Sequence, residues 1–441
     1  MKVRRSTVVA LVVLGSLAVG CVDSGAPPLP VVTTGSDTTT RPVNTDDPTV
    51  ETSDLSPETS PPETSPPETS SPETSSPETT ADPVPLADPI IVRGSDVPPG
   101  LVELARFVED TRGHPFLRPV TVELVADDRF EELIVDSFGG PALEALQEQY
   151  ELMVLIGLLP EGIDFVDLVR ISDRESIIGF YVPGTDTLHL RGAELTSFVS
   201  MVAVHELTHA LDDQWFDLAP ERHDDDADRA FALAALAEGS ATWVEEQWIA
   251  GRSIDERVEI RRAGEELWVG AVEADWPVSA IEIGEDVYSL GSSFVVAMPD
   301  DDVAASLDVA FTDRPDSTEQ LLHPSRYRAG DVPIDVATPD HVGVVVAEGT
   351  IGELLLVELL SAAVSPATAR EAGEGWGGDR YVVVDDGARR CLVLEVRTDT
   401  GLDEVELAAA TGRWAARQPD ATVTRDDGTV RGVSCRDVMT P

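Results

Sequence analysis

LTSFVSMVAVHELTHALDDQWF, residues Leu195 to Phe216, is the stretch that decides how this chain is read. Phe198, Val199, Val202, Leu207, Ala210 and Leu211 recur at helical spacing, and nothing between Ser197 and Trp215 breaks a helix. Residues i and i+4 of a helix lie on one face, a turn apart. His205 and His209 therefore stand side by side, close enough to share one zinc ion with Zn–N bonds of about 2.0–2.1 Å. Glu206 lies one position round, where a carboxylate reaches the open face of such an ion as a general base without binding it. The plainer alternative is a pair of exposed helix histidines beside a salt-bridging glutamate.

A third ligand is needed. The pattern HExxHxxGxxH would place it at position 215 with glycine at 212, but Trp215 and Asp212 stand there. The next helix, expected over about Asp226 to Ala250, supplies a glutamate instead. Steps of three or four residues through Phe231, Ala234, Glu238, Ala241 and Glu245 trace one face, so Glu238 sits inside an otherwise apolar stripe. A buried lone carboxylate is costly unless something compensates it, and a metal ion does so directly. Gly239 weakens the helix beside it and suits a close approach of another backbone.

With HExxH on one helix and Glu238 followed by Gly239-Ser240 on the next, the chain resembles the gluzincin zinc metallopeptidases over about Ile177 to Gln247. The resemblance implies a zincin-like core with two central zinc-binding helices and a small antiparallel sheet. It implies zinc held by His205, His209 and Glu238, and hydrolysis of peptide bonds in a peptide or protein by zinc-activated water, with Glu206 as general base. An extra donor for the oxyanion is expected from His323, Tyr327 or Tyr288. The strand Ile178 to Val182 is similar to the edge strand that pairs with extended substrate in that family. Asp212, Asp213 and Asp228 are candidates to orient the imidazoles. The segments Ser317-Thr318-Glu319-Gln320-Leu321-Leu322-His323-Pro324 and Gly375-Trp376-Gly377-Gly378-Asp379-Arg380-Tyr381 also look similar to a set of bacterial exported proteins. A different class of function stays open: a catalytically silent, zinc-containing binding module of the cell envelope.

The rest of the chain places this core. Lys2, Arg4 and Arg5 precede the apolar run Val8 to Val19, as in a signal peptide over residues 1–20. Leu17-Ala18-Val19-Gly20-Cys21 resembles a bacterial lipobox, with Ala18 where Leu, Val or Ile is usual. Cys21 is thus the expected lipidation site, giving a membrane anchor at the outer face of the cytoplasmic membrane; otherwise the chain is secreted. Residues 21–88 carry a repeat around Pro57, Pro62, Pro67, Pro72 and Pro77, with little to bury, and read as a disordered stalk. The remaining cysteines, Cys391 and Cys435, form an even pair suited to a disulfide in an oxidising compartment, against the alternative of two buried thiols.

The fold class expected is α+β: a metallopeptidase core over 89–330 and a C-terminal α+β region over 331–441 packed on it. Helices are expected at Leu101–Thr111 and Pro141–Leu158, and over most of Leu267–Ala310. Ile177–Val182 and Thr187–Leu190 form a hairpin across Pro183-Gly184-Thr185-Asp186, and Tyr381–Cys435 reads strand, strand, helix, strand, strand. With 82 Asp+Glu against 31 Lys+Arg and a net charge of −51, the chain repels phosphate backbones, which argues against nucleic acid as a partner.

Overall fold

The computed structural model describes residues 85–93, 98–126, 129–130, 132–133, 150–159, 177–192, 194–218, 226–273, 278–298 and 302–437. The segment expected to be a signal peptide, Cys21 and the proline-rich repeat lie outside these residues, as does the first half of the helix expected over Pro141–Leu158, of which residues 150–156 are helical. All described residues belong to one compact α+β unit. Among them, no helix is long and apolar enough to cross a membrane.

The chain opens with β1 (Ile90–Val92), α1 (Pro99–Arg112) and β2 (Val120–Val125), then the hairpin β3 (Gly179–Val182) and β4 (Thr187–Arg191). These strands form one sheet in the order β1-β2-β4-β3. The sheet is mixed, not antiparallel as expected: β1 pairs with β2 and β2 with β4 in parallel, and β3–β4 is its antiparallel pair. For β1 and β2 the cause is α1, because a helical crossover returns the chain in its original direction. Val120, Val122, Tyr181, Leu188 and Leu190 face a buried cluster shared with α1 and α2 (Ser197–Phe216).

Thr196 caps α2 by accepting from the Val199 amide. From Met201 to Gln214 every residue of α2 is buried, so the helix runs through the interior. Asp226 caps α3 (Ala227–Ala250) through the amides of Asp228 and Arg229. Helices α4 (Ile254–Glu273), α5 (Val278–Val296) and α6 (Val303–Thr312) follow, then the short α7 (Thr318–Leu322) and α8 (Pro324–Ala329).

The C-terminal region adds β5 (Val344–Gly349), α9 (Gly352–Ser361), α10 (Pro366–Gly373), β6 (Trp376–Asp385), β7 (Arg389–Thr398), α11 (Gly401–Ala415), β8 (Ala421–Asp426) and β9 (Thr429–Asp437). Its sheet, in the order β5-β6-β7-β9-β8, is antiparallel throughout. Asp427 and Gly428, at φ 46° and 75°, make the tight turn between β8 and β9. Cys391 and Cys435 stand opposite each other on β7 and β9 and are joined as a disulfide. β5, α9 and α10 were not anticipated, because their segment lacks the turn signals that frame the later strands.

The two parts share a core. Phe231, Leu236 and Phe294 belong to one apolar cluster with Leu356, Trp376 and Trp414. A buried polar joint reinforces it. Asp228, in the first turn of α3, accepts from the Thr318 amide at 3.1 Å and from its hydroxyl at 2.6 Å. Thr350 donates to Asp226 at 2.9 Å. Gly352, at φ 76°, lies so close to Asp228 that a Cβ there would sit 1.8 Å from Oδ1. Asp379 accepts from the amides of Ile351 and Gly352 and from the Trp376 indole, each at 2.9 Å.

Candidate metal centre

Helices α2 and α3 cross with their polar residues facing one another. His205 Nε2 lies 3.0 Å from Glu238 Oε2 and 3.1 Å from His209 Nε2, and His209 Nε2 is 3.5 Å from Glu238 Oε1. Ligand atoms about 2.0–2.1 Å from one ion at tetrahedral angles are about 3.3 Å apart, so this triangle fits a single metal ion. Two imidazoles and a carboxylate can hold such an ion, and all three residues are buried. Burial alone raises the Glu238 carboxyl, but His209 and His205 outweigh it and hold it below the usual carboxylate range. Burial likewise pushes His205 down, and Glu238, Glu245 and Glu206 more than reverse this, leaving it well above the ordinary imidazole value.

The other nitrogen of His205 is also taken. Nδ1 lies 3.1 Å from Glu245 Oε2, itself buried. A carboxylate there fixes the ring and turns Nε2 toward the ligand position. The sequence reading proposed Asp212, Asp213 and Asp228 for this task, and the structure corrects that. Asp212 bonds Arg112 Nε at 2.9 Å and the Ser240 hydroxyl at 2.6 Å. Asp213 accepts from the Tyr181 hydroxyl and the Gly184 amide, both at 2.7 Å, and from the Leu218 amide at 2.8 Å. Asp228 belongs to the joint with Thr318. Glu245 carried the right signal, two turns beyond Glu238 on the same stripe.

Asp212 does bear on the centre by another route. It stands one turn after His209, and Ser240 lies two residues after Glu238. Their bond therefore pins α2 to α3 beside the ligands, with the buried Arg112 of α1 neutralising the aspartate. Also on α3, Gly239 meets Gly291 of α5. A Cβ on Gly239 would lie 2.5 Å from the Gly291 carbonyl carbon, and one on Gly291 would lie 1.9 Å from the Ala235 oxygen. This is the close backbone approach expected at Gly239.

Glu206 follows His205 and accepts from the Tyr181 amide at 2.8 Å. Its own burial raises its carboxyl above the usual value, against the lowering effect of His209 and His205. β3 is the outer strand of its sheet. Gly179 lets it lie on α2, since a Cβ there would sit 2.9 Å from Val202 Cγ1.

The three expected oxyanion donors separate. Tyr288 of α5 is near the centre, its ring centroid 6.2 Å from that of His205. His323 instead pairs with Glu353 at 3.0 Å, and Tyr327 donates to the Asp313 carbonyl at 2.8 Å. His323 Nε2 and the Tyr327 hydroxyl are thus engaged elsewhere, and no described contact brings either residue to the metal group. Sequence cannot reveal this, because His323 is placed by Glu353 and Tyr327 by packing on Phe294.

Residues 341–437 match a family described as a domain of unknown function (DUF8575), which covers the C-terminal sheet and its helices. No curated protein and no solved structure matches the chain.

Proposed function

We propose that this chain is a zinc-dependent peptidase with a zincin-like core, tethered outside the cytoplasmic membrane through Cys21. The observation that carries the reading is the buried group of His205 Nε2, His209 Nε2 and the Glu238 carboxylate, with Glu206 beside His205 on the same helix. Two histidines and one carboxylate are the protein ligands of hydrolytic zinc sites, which leave a position open for substrate. A zinc ion held by His205, His209 and Glu238 would supply Lewis-acid chemistry, polarising a carbonyl and acidifying a water molecule. Glu206 takes a proton from the attacking water at a carboxylate oxygen and delivers it to the departing amine. Burial of Glu206 keeps competing water out and strengthens each charge interaction in the site. Glu245 holds His205 in the ligating tautomer. Tyr288 is the candidate donor to the oxyanion.

The test measures zinc per chain in the exported form and cleavage of a mixed peptide library, with Glu206→Gln beside the natural protein. One zinc per chain in both, with cleavage lost in Glu206→Gln, is expected. Stoichiometric zinc with no cleavage by either protein transfers the reading to a zinc-containing binding module. Absence of zinc from the purified protein rejects both.

A further inference from the structure

Among the described strands, β3 has a neighbour on one side only. The Arg191 amide donates to the Ile178 carbonyl at 2.7 Å, so residue 178 turns its backbone toward β4. With the two-residue period of an antiparallel pair, Phe180 and Val182 turn their backbone groups toward β4. Gly179 and Tyr181 turn theirs to the open edge. Of these, the Tyr181 amide is already engaged by Glu206 Oε2 at 2.8 Å. The far end of the same residue is fixed too, because its hydroxyl donates to Asp213 Oδ2 at 2.7 Å. Asp213 in turn holds the hairpin through the Gly184 amide. Tyr181 therefore cannot swing away when its amide loses a partner.

We infer that the Tyr181 amide is a shared donor: Glu206 holds it in the resting protein, and a main-chain carbonyl of an extended peptide pairing with β3 takes it over, freeing Glu206 for proton transfer. This rests on the peptidase reading and adds a selection rule to it. A single N–H makes one well-aligned bond, so two acceptors compete for it. Strand addition supplies such a carbonyl at every second residue of the incoming chain. A ligand too short to reach β3 leaves Glu206 engaged, and the centre favours extended chains over dipeptide-sized substrates through turnover instead of affinity.

The chain has 5 tyrosines, so selective ¹⁵N-tyrosine labelling of the full protein gives a simple amide spectrum, with Tyr181 assigned by its loss in Tyr181→Phe. Hydrogen exchange at Tyr181 is expected to be at least about ten-fold faster in Glu206→Ala than in the natural protein, and to slow again when a randomised decapeptide library is added. Kinetics provide the second arm. Tyr181→Ala and Tyr181→Pro both lose the ring, but only proline also loses the N–H, and an outward edge position tolerates proline. The ratio of kcat for decapeptides to kcat for a fluorogenic dipeptide amide is expected to fall at least about ten-fold in Tyr181→Pro relative to Tyr181→Ala. Equal ratios, or cleavage of decapeptides with a Tyr181 amide indifferent to them, overturn the hand-over and leave the peptidase standing. Restored protection without cleavage by any form overturns the peptidase reading and leaves the amide as a peptide-binding donor alone. If Tyr181→Pro does not fold, the exchange arm decides.

Discussion

Glu245 Oε2 lies 3.1 Å from His205 Nδ1, and Glu238, two turns earlier on the same helix, lies 3.0 Å from the opposite nitrogen of that ring. One helix thus both offers a candidate ligand and holds the ring of another. Glu245→Gln keeps an oxygen in place but loses the charge that fixes the imidazole tautomer. Zinc affinity should fall about ten- to a hundred-fold, by competition with a chromogenic chelator, while the circular dichroism spectrum is retained. Affinity within two-fold of the natural protein would remove Glu245 from the site.

The glycine crossing of α3 and α5 predicts an asymmetric pair of substitutions. A methyl group at Gly291 meets the backbone of Ala235, which cannot move without shifting α3 and, with it, Glu238 and Glu245. Gly291→Ala should cost at least about 3 kcal/mol in urea unfolding, with loss of zinc binding. Gly401, at the start of α11, has nothing within 4 Å of its added carbon. Gly401→Ala should be neutral or stabilising by up to about 1 kcal/mol, because alanine restricts the unfolded chain.

Asp379 gives a pH signature. Burial pushes its carboxyl up to about 6, even though three N–H groups donate to it. A folded pKa above the unfolded value means that the folded chain holds the proton more tightly. The stabilisation is full at low pH and is lost as pH rises from about 4 through 6, by up to about 3 kcal/mol. Asp379→Asn should flatten the stability profile in that window, read as the difference in urea midpoint between the two proteins from pH 4 to 7. Parallel profiles would contradict the shift.

The disulfide between Cys391 and Cys435 closes a separation of 44 residues. On the chain-entropy account, its reduction should lower stability by up to about 4 kcal/mol. The bond lies in the C-terminal sheet, so zinc stoichiometry should survive in Cys391→Ser with Cys435→Ser. Thermal unfolding with and without reductant, alongside metal analysis, checks both parts.

What could be read in the sequence was set by the range of each interaction. His205 and His209 follow from helical spacing alone, and Glu238 from an apolar stripe on one helix. The hairpin around Pro183-Gly184 and the turn at Asp427-Gly428 were visible because turn chemistry is local. The roles of three aspartates were not, because their partners are distant: Arg112 stands 100 residues from Asp212, Tyr181 32 residues from Asp213, and Thr318 90 residues from Asp228. Composition marks each as a carboxylate near the centre, and only the fold says which neighbour claims it. The parallel pairing of β1 with β2 escaped for the same reason, since β1 spans only Ile90–Val92 and takes its direction from the crossover.

The joint at Asp228 also says where this protein can be divided. The match to the domain of unknown function begins at residue 341, yet Gly352 sits directly against an aspartate in the first turn of the helix that bears Glu238. Severing the chain before that stretch would strip Asp226 of Thr350 and open the floor beneath α3 to solvent. The start of the match is therefore not a seam of folding, and a fragment trimmed to the histidine helices would lack the footing on which Glu238 stands.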